Sequence, residues 1–320
     1  MMKPPGPWPP EDPRRTPVTL RREYIAAGYS DRALANMVRD GVLARTRRGA
    51  YVAGPVWQAL DVEGRHSVRA RAVLRQAKAD AVLSHTTGLL EYDVPIWDLD
   101  LNEVHVTRLD GKIGRQEAGI RQHAGTIEPG DVIHRNGVAV MSPTRLGLEV
   151  TTVADVEHSL VAVNHLLHEG HTTLEALADR YRTMSQWPNT LITDLVLRLA
   201  NPKIESVGES RTFHLCYINR LPMPEPQYEI KDASGRIVAR VDFAWPELGV
   251  FLEFDGKVKY EKLLKDGERA SDVVVREKKR EAMICRLTGW TCVRITWADL
   301  DHPERTAELI REALFAESAA

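Results

Sequence analysis

Between Gln227 and Asp255 the chain alternates apolar and polar residues in three runs, separated by Asp232-Ala233-Ser234-Gly235 and Pro246-Glu247-Leu248-Gly249. That pattern predicts a three-stranded antiparallel meander. Side chains on a strand point alternately to its two faces, so Val250, Leu252 and Phe254 share one face while Phe251, Glu253 and Asp255 share the other. A symmetric turn at Glu247-Leu248 sets Asp242 opposite Glu253. Like charges facing each other across a sheet repel, so Asp242, Glu253 and Asp255 within one hairpin need either a solvated edge or a compensating cation. The apolar flanks favour a cation. Oxygen ligands suit Mg2+ (or Mn2+), which is held by one or two carboxylates together with substrate phosphate.

Around this hairpin the order continues. Ser206 caps a helix that runs to Asn219, a second helix spans Asp272 to Thr288 and ends at Gly289, Cys292 to Trp297 alternates as a strand, and Pro303 opens a last helix. Helix, three strands, helix, strand and helix make an α/β layer with one crossover. Lys257, just beyond Gly256, is a candidate for stabilising a phosphate, and the carbonyl of Phe254 is a candidate for completing the metal shell. Glu209, three residues after Ser206, reads equally as a capping-box acid and as a site acid.

A chain of 320 residues has room for two or three cores. Its 43% hydrophobic and 28% charged content suits a globular protein, and no apolar run is long enough to span a membrane. Three cysteines without zinc-ligand spacing fit a reducing cytoplasm. The net charge of −2 gives no global nucleic-acid signature. Locally, though, nine arginines lie between Arg14 and Arg48 against Glu23, Asp31 and Asp40. The proline-rich residues 1–17 read as a disordered tail. Residues 18–56 read as helix, turn, helix and basic hairpin, a winged helix-turn-helix that places Arg32 and Arg39 on the second helix and Arg45, Arg47 and Arg48 on the wing. These five would neutralise phosphates of DNA; the plainer alternative is that they solvate a small helical domain. Residues 57–200 read as a mixed α/β region without an evident role. His85, His105, His123 and His134 lack the spacing of a metal site and read as structural or surface residues.

The phrases Val241-Asp242-Phe243-Ala244-Trp245-Pro246 and Glu253-Phe254-Asp255-Gly256-Lys257, the helix Glu277-Lys278-Lys279-Arg280-Glu281, and Gly289-Trp290 leading to Arg294-Ile295-Thr296-Trp297 resemble the restriction-endonuclease-like superfamily, in particular the branch similar to the very short patch repair endonuclease. The resemblance covers roughly residues 204–300. It implies a metal-dependent endonuclease domain over 201–320 in which Asp242 and Glu253 match the metal-binding acids and Glu209 the acid of the first helix. Asp255 stands where the superfamily has lysine, with Lys257 as a substitute. Ser30, Arg39, Gly41, Arg47-Arg48-Gly49 and Tyr51 resemble the AbiEi-type antitoxin winged helix, which implies promoter binding and a toxin partner. Ser142-Pro143-Thr144-Arg145 resembles that family's middle region, with Leu146 and Glu149 where threonine and aspartate are usual. The expectation is a cytoplasmic α/β multidomain protein that binds DNA and hydrolyses phosphodiester bonds with Mg2+ or Mn2+. The alternative is a non-enzymatic, antitoxin-like regulator built on a degenerate nuclease fold.

Overall fold

The computed structural model describes residues 4–112, 114, 116, 117, 119–184, 187–256 and 270–316. They form an α/β protein of two compact units, residues 1–200 and 201–320.

The first unit opens with β1 (Thr19–Leu20), α1 (Arg21–Ala26), α2 (Asp31–Arg39), β2 (Leu43–Arg47) and β3 (Ala50–Ala53). The three strands form one sheet in the order β1-β3-β2. Ser30 caps α2 by accepting from Ala33 N at 3.2 Å, and Gly49, at φ +75°, turns the hairpin where a side chain would be strained. Then come α3 (Gly54–Ala59), α4 (Val62–Gln76), β4 (Ala81–Leu83), α5 (His85–Leu89), β5 (Val104–Arg108), β6 (Gln116–Glu117), β7 (Ile120–His123), β8 (Val132–Arg135), β9 (Val138–Met141), α6 (Pro143–Glu149), α7 (Val156–His168), α8 (Leu174–Tyr181) and α9 (Thr193–Leu199). The second sheet runs β6-β7-β5-β4-β9-β8.

Two boundaries differ from the sequence reading. Val18, Leu20, Ala50 and Val52 share a core with Leu60, Val68 and Ala72, so packing does not break at residue 56. The amphipathic α4 supplies the apolar face that a sheet this small cannot provide for itself. Residues 4–17 are not a free tail. Trp8 is buried, its backbone N–H donates to Asn136 Oδ1 at 2.7 Å, its indole Nε1 donates to Asp93 Oδ1 at 3.0 Å, and the Arg14 guanidinium lies 3.6 Å from the ring centroid. One large aromatic with a satisfied N–H supplies enough buried area to dock a proline-rich segment that has little chain entropy to lose.

The second unit contains α10 (Val207–Ile218), β10 (Glu225–Lys231), β11 (Ile237–Trp245), β12 (Val250–Asp255), α11 (Ala270–Thr288), β13 (Thr291–Thr296), α12 (Trp297–Leu300) and α13 (Pro303–Phe315). The sheet order is β10-β11-β12-β13, antiparallel up to β12 and parallel between β12 and β13. Helices cover both faces. Phe251 and Ala244 pack with Ile284 of α11, while Phe243 stacks on Phe213 of α10 with ring centroids 6.1 Å apart. At Gly208 an added Cβ would sit 2.1 Å from the Phe254 ring, so glycine alone lets the N-terminal turn of α10 lie against β12. Gly208→Ala is expected to destabilise this unit by about 1–3 kcal/mol, through overpacking against an aromatic ring. Thermal or urea unfolding checks this, and an unchanged transition would mean that the helix has room to move.

Candidate functional site

The register of β11 and β12 pairs Trp245↔Val250, Ala244↔Phe251 and Phe243↔Leu252, and the next residues along the two strands are Asp242 and Glu253. Asp242 Oδ2 accepts from Phe254 N at 2.8 Å, which ties the acid across the hairpin. Glu253 and Asp255 lie on the face that α11 and β13 supply with arginines. Arg280 Nη1 donates to Glu253 Oε1 at 2.8 Å, and Arg294 Nη1 lies 3.7 Å from Asp255 Oδ2. Arg294 is itself held by Glu281 at 2.8 Å and Glu277 at 3.5 Å.

Glu209 enters from α10. It accepts from Ser206 Oγ at 2.7 Å, from Gln227 Nε2 at 2.8 Å and from Glu205 N at 3.1 Å, the residue before the N-cap, where a capping box would take the N–H of Ser206 itself. Burial raises the proton affinity of this carboxyl, and repulsion from Asp242 raises it further. Burial raises that of Glu253 as well; Arg280 opposes the shift and Asp242 adds to it. Asp242 thus acts on both glutamates, the buried Glu209 and the half-buried Glu253, while Asp255 is turned to Arg294. Asp242, Glu253 and Asp255 do not meet within 4.8 Å as a ready three-carboxylate cage. The reason is local: each of these acids already has a backbone or arginine partner. Lys257 lies outside the described residues.

In the N-terminal unit Arg32 and Arg39 lie exposed on α2, Arg45 is exposed on β2, and Arg48 is exposed at the turn. Arg47 ends β2, half-buried. Arg39 Nε contacts Asp40 at 3.2 Å, and the β2–β3 hairpin is tied to α4 by Gln76 Nε2 donating to Arg48 O at 3.0 Å. A basic hairpin fixed to a long helix presents its charges in a set geometry.

One cluster was not visible in residue spacing. Among the described residues, the group of three or more His, Cys, Asp or Glu side chains whose ligand atoms all lie within 4.8 Å of one another is His85, His105 and His123. Strand order brings them together, since β7 pairs with β5 and β5 with β4. Within the parallel β5–β7 pair Thr107 lies opposite His123, so His105, Thr107 and His123 share a face. His85 follows β4 directly and stacks on His123 with ring centroids 3.6 Å apart. Its φ of +49° is a strained conformation for a residue with a Cβ. Glu149 holds that backbone in place, accepting His85 N at 3.0 Å.

Glu149 belongs to a buried ion network. Arg145 donates to Glu149 Oε1 at 2.9 Å, to Asp131 Oδ2 at 2.6 Å and to Thr126 O at 2.7 Å, and Arg180 closes on Asp131 at 2.9 Å. The Arg145 guanidinium also lies 4.2 Å from the Trp187 ring centroid. Ser142-Pro143-Thr144-Arg145 through Glu149 is therefore the turn of helix that braces this network.

No protein-family model matches the chain. It is similar to two uncharacterized proteins of Mycobacterium tuberculosis, one from strain CDC 1551 / Oshkosh and one from strain ATCC 25618 / H37Rv. Each is 26% identical over 280 residues, covering 87% of this chain and 94% of the relative. A match of that length includes parts of both units. No helix among the described residues is long and apolar enough to cross a membrane.

Proposed function

We propose that the chain is a cytoplasmic DNA-binding protein whose C-terminal unit hydrolyses phosphodiester bonds with a divalent metal, Mg2+ or Mn2+. The observation that carries this reading is the placing of Asp242, tied to Phe254 N at 2.8 Å, and Glu253 on adjacent strands next to the buried Glu209 of α10, with Asp242 raising the proton affinity of both glutamates. Such groups are stabilised by a bound cation. A metal there would polarise the scissile phosphate and activate water. Asp242 and Glu253 hold the ion, Glu209 positions the site through Gln227, and Asp255 orients water. Arg280 and Arg294 bring positive charge to the same face, the role that lysine plays in the resembled superfamily.

The N-terminal helices and wing bind the duplex in this reading, through Arg32, Arg39, Arg45, Arg47 and Arg48. Phosphate contacts release counterions, so Arg47→Ala with Arg48→Ala is expected to weaken binding about equally for all sequences. It should also flatten the slope of log K against log salt by about 2, near 0.9 per lost contact. Titration of labelled duplexes at several salt concentrations measures this; an unchanged slope would move the interface elsewhere. Plasmid nicking with Mg2+ or Mn2+ tests the nuclease assignment.

One observation favours a second reading, a non-enzymatic regulator with a toxin as partner. Glu253 and Asp255 already have arginine counter-charges, and Asp255 takes the position of the usual lysine. DNA binding without metal-dependent cleavage would select it.

A further inference from the structure

We propose that His85, His105 and His123 form a transition-metal site in the N-terminal unit, suited to Zn2+, with an open coordination position facing a cavity. This site is independent of the nuclease reading and shares no residue with it.

The geometry makes the case. His123 Nε2 and His105 Nδ1 are 3.1 Å apart, and one ring nitrogen of each of the three histidines falls within 4.8 Å of the others. Zinc bonds imidazole nitrogen at about 2.0–2.1 Å, which in a tetrahedral site separates two ligands by about 3.3 Å. The stack of His85 on His123 sets those rings nearly parallel, 16° apart, so in-plane coordination includes a rotation of one ring.

Three further features point to a ligand. The Thr107 hydroxyl, 1% exposed and on the same face as His105 and His123, has no hydrogen-bond partner among the described residues. A buried hydroxyl left unpaired is costly, and a metal-bound water or anion beside it would satisfy it. His85 Nδ1 lies 3.0 Å from Ser84 Oγ, with Glu149 Oε2 beyond it at 3.6 Å, so a polar partner on one ring nitrogen orients this imidazole and leaves the other for a ligand. Finally, a cavity of about 400 Å³ opens on the cluster, lined among others by His85, Thr107, Arg121, His123, Arg145 and Glu149. Arg121 in its wall favours an anionic or polarised oxygen ligand in the open position, since Arg145 is neutralised by Glu149 and Asp131.

Neutral imidazole is the form that binds metal, and an all-imidazole set selects zinc, cobalt, nickel or copper over the magnesium expected by carboxylates.

The test uses tag-free, metal-stripped full-length protein titrated with Co2+, whose visible absorption reports tetrahedral nitrogen ligation, followed by displacement with Zn2+. One Co2+ per chain is expected, with affinity at least about 100-fold weaker in His105→Ala and in His123→Gln. Asp242→Asn and Glu253→Gln should leave it unchanged. Circular dichroism and the melting temperature without metal identify a variant that fails to fold; His123→Gln, at the half-buried position, is the one expected to remain folded. Absence of stoichiometric cobalt binding overturns the proposal. So does binding that persists in folded His123→Gln, or binding that is lost only in the two acid variants.

Discussion

Asp242→Ala and Glu253→Ala should each slow Mg2+-dependent DNA cleavage by at least about 100-fold, the effect of removing a group that stabilises charge developing in the transition state. The two changes act differently on the apo protein. Asp242→Ala removes the acceptor of Phe254 N and the repulsion felt by both Glu209 and Glu253. Glu253→Ala instead leaves Arg280 with the Arg240 carbonyl as its remaining contact in the hairpin region. DNA affinity measured without metal at one salt concentration should hardly change in either, because the five arginines proposed to hold the duplex lie in the other unit. Cleavage is read as nicked and linear plasmid over time with Mg2+ or Mn2+, with EDTA as the blank. Cleavage at the wild-type rate in either variant would reject the site, since residual activity would then come from elsewhere.

The second large effect concerns stability. Arg145→Met is expected to cost about 3–5 kcal/mol, because it strands Glu149 in the interior without its cation, whereas Asp131 keeps Arg180. Arg145 is only 2% exposed and Glu149 fully buried, so water cannot take over the lost hydrogen bonds. Burial already pushes the Glu149 carboxyl upward against the pull of Arg145; without the arginine it takes up a proton. For a unit of 200 residues the midpoint should fall by roughly 6–20 °C. Arg145→Met combined with Glu149→Leu should recover part of the loss, since a well-packed apolar pair replaces a charge pair at similar volume. A single variant as stable as the parent would show that Glu149 finds another partner. Because Glu149 also holds the His85 backbone, cobalt binding in the single variant would report whether the histidine cluster survives loss of its brace.

The C-terminal unit was legible in large part because its signals are local. Alternation over Val250–Asp255 and a short turn suffice to pair Asp242 with Glu253, and Ser206 sets the start of α10 by capping Glu209 N at 3.2 Å. The site acids were only partly legible. Which carboxylates crowd together depends on how α10 lies on β12, which Gly208 allows, and on where α11 and β13 place Arg280 and Arg294. Spacing carried none of that. At the other end, proline content suggested a free tail, whereas Trp8 docks on Asn136, 128 residues away.

The linear order of residues determined the α/β class, the hairpin register and the helix caps, because those follow from periods of two and 3.6 residues and from turn chemistry within a few positions. Only the tertiary structure decided the histidine cluster. His85, His105 and His123 are neighbours because non-consecutive strands pair in the order β7-β5-β4. Such pairing is chosen by the free energy of burying a whole sheet between helices, which no window of adjacent residues encodes.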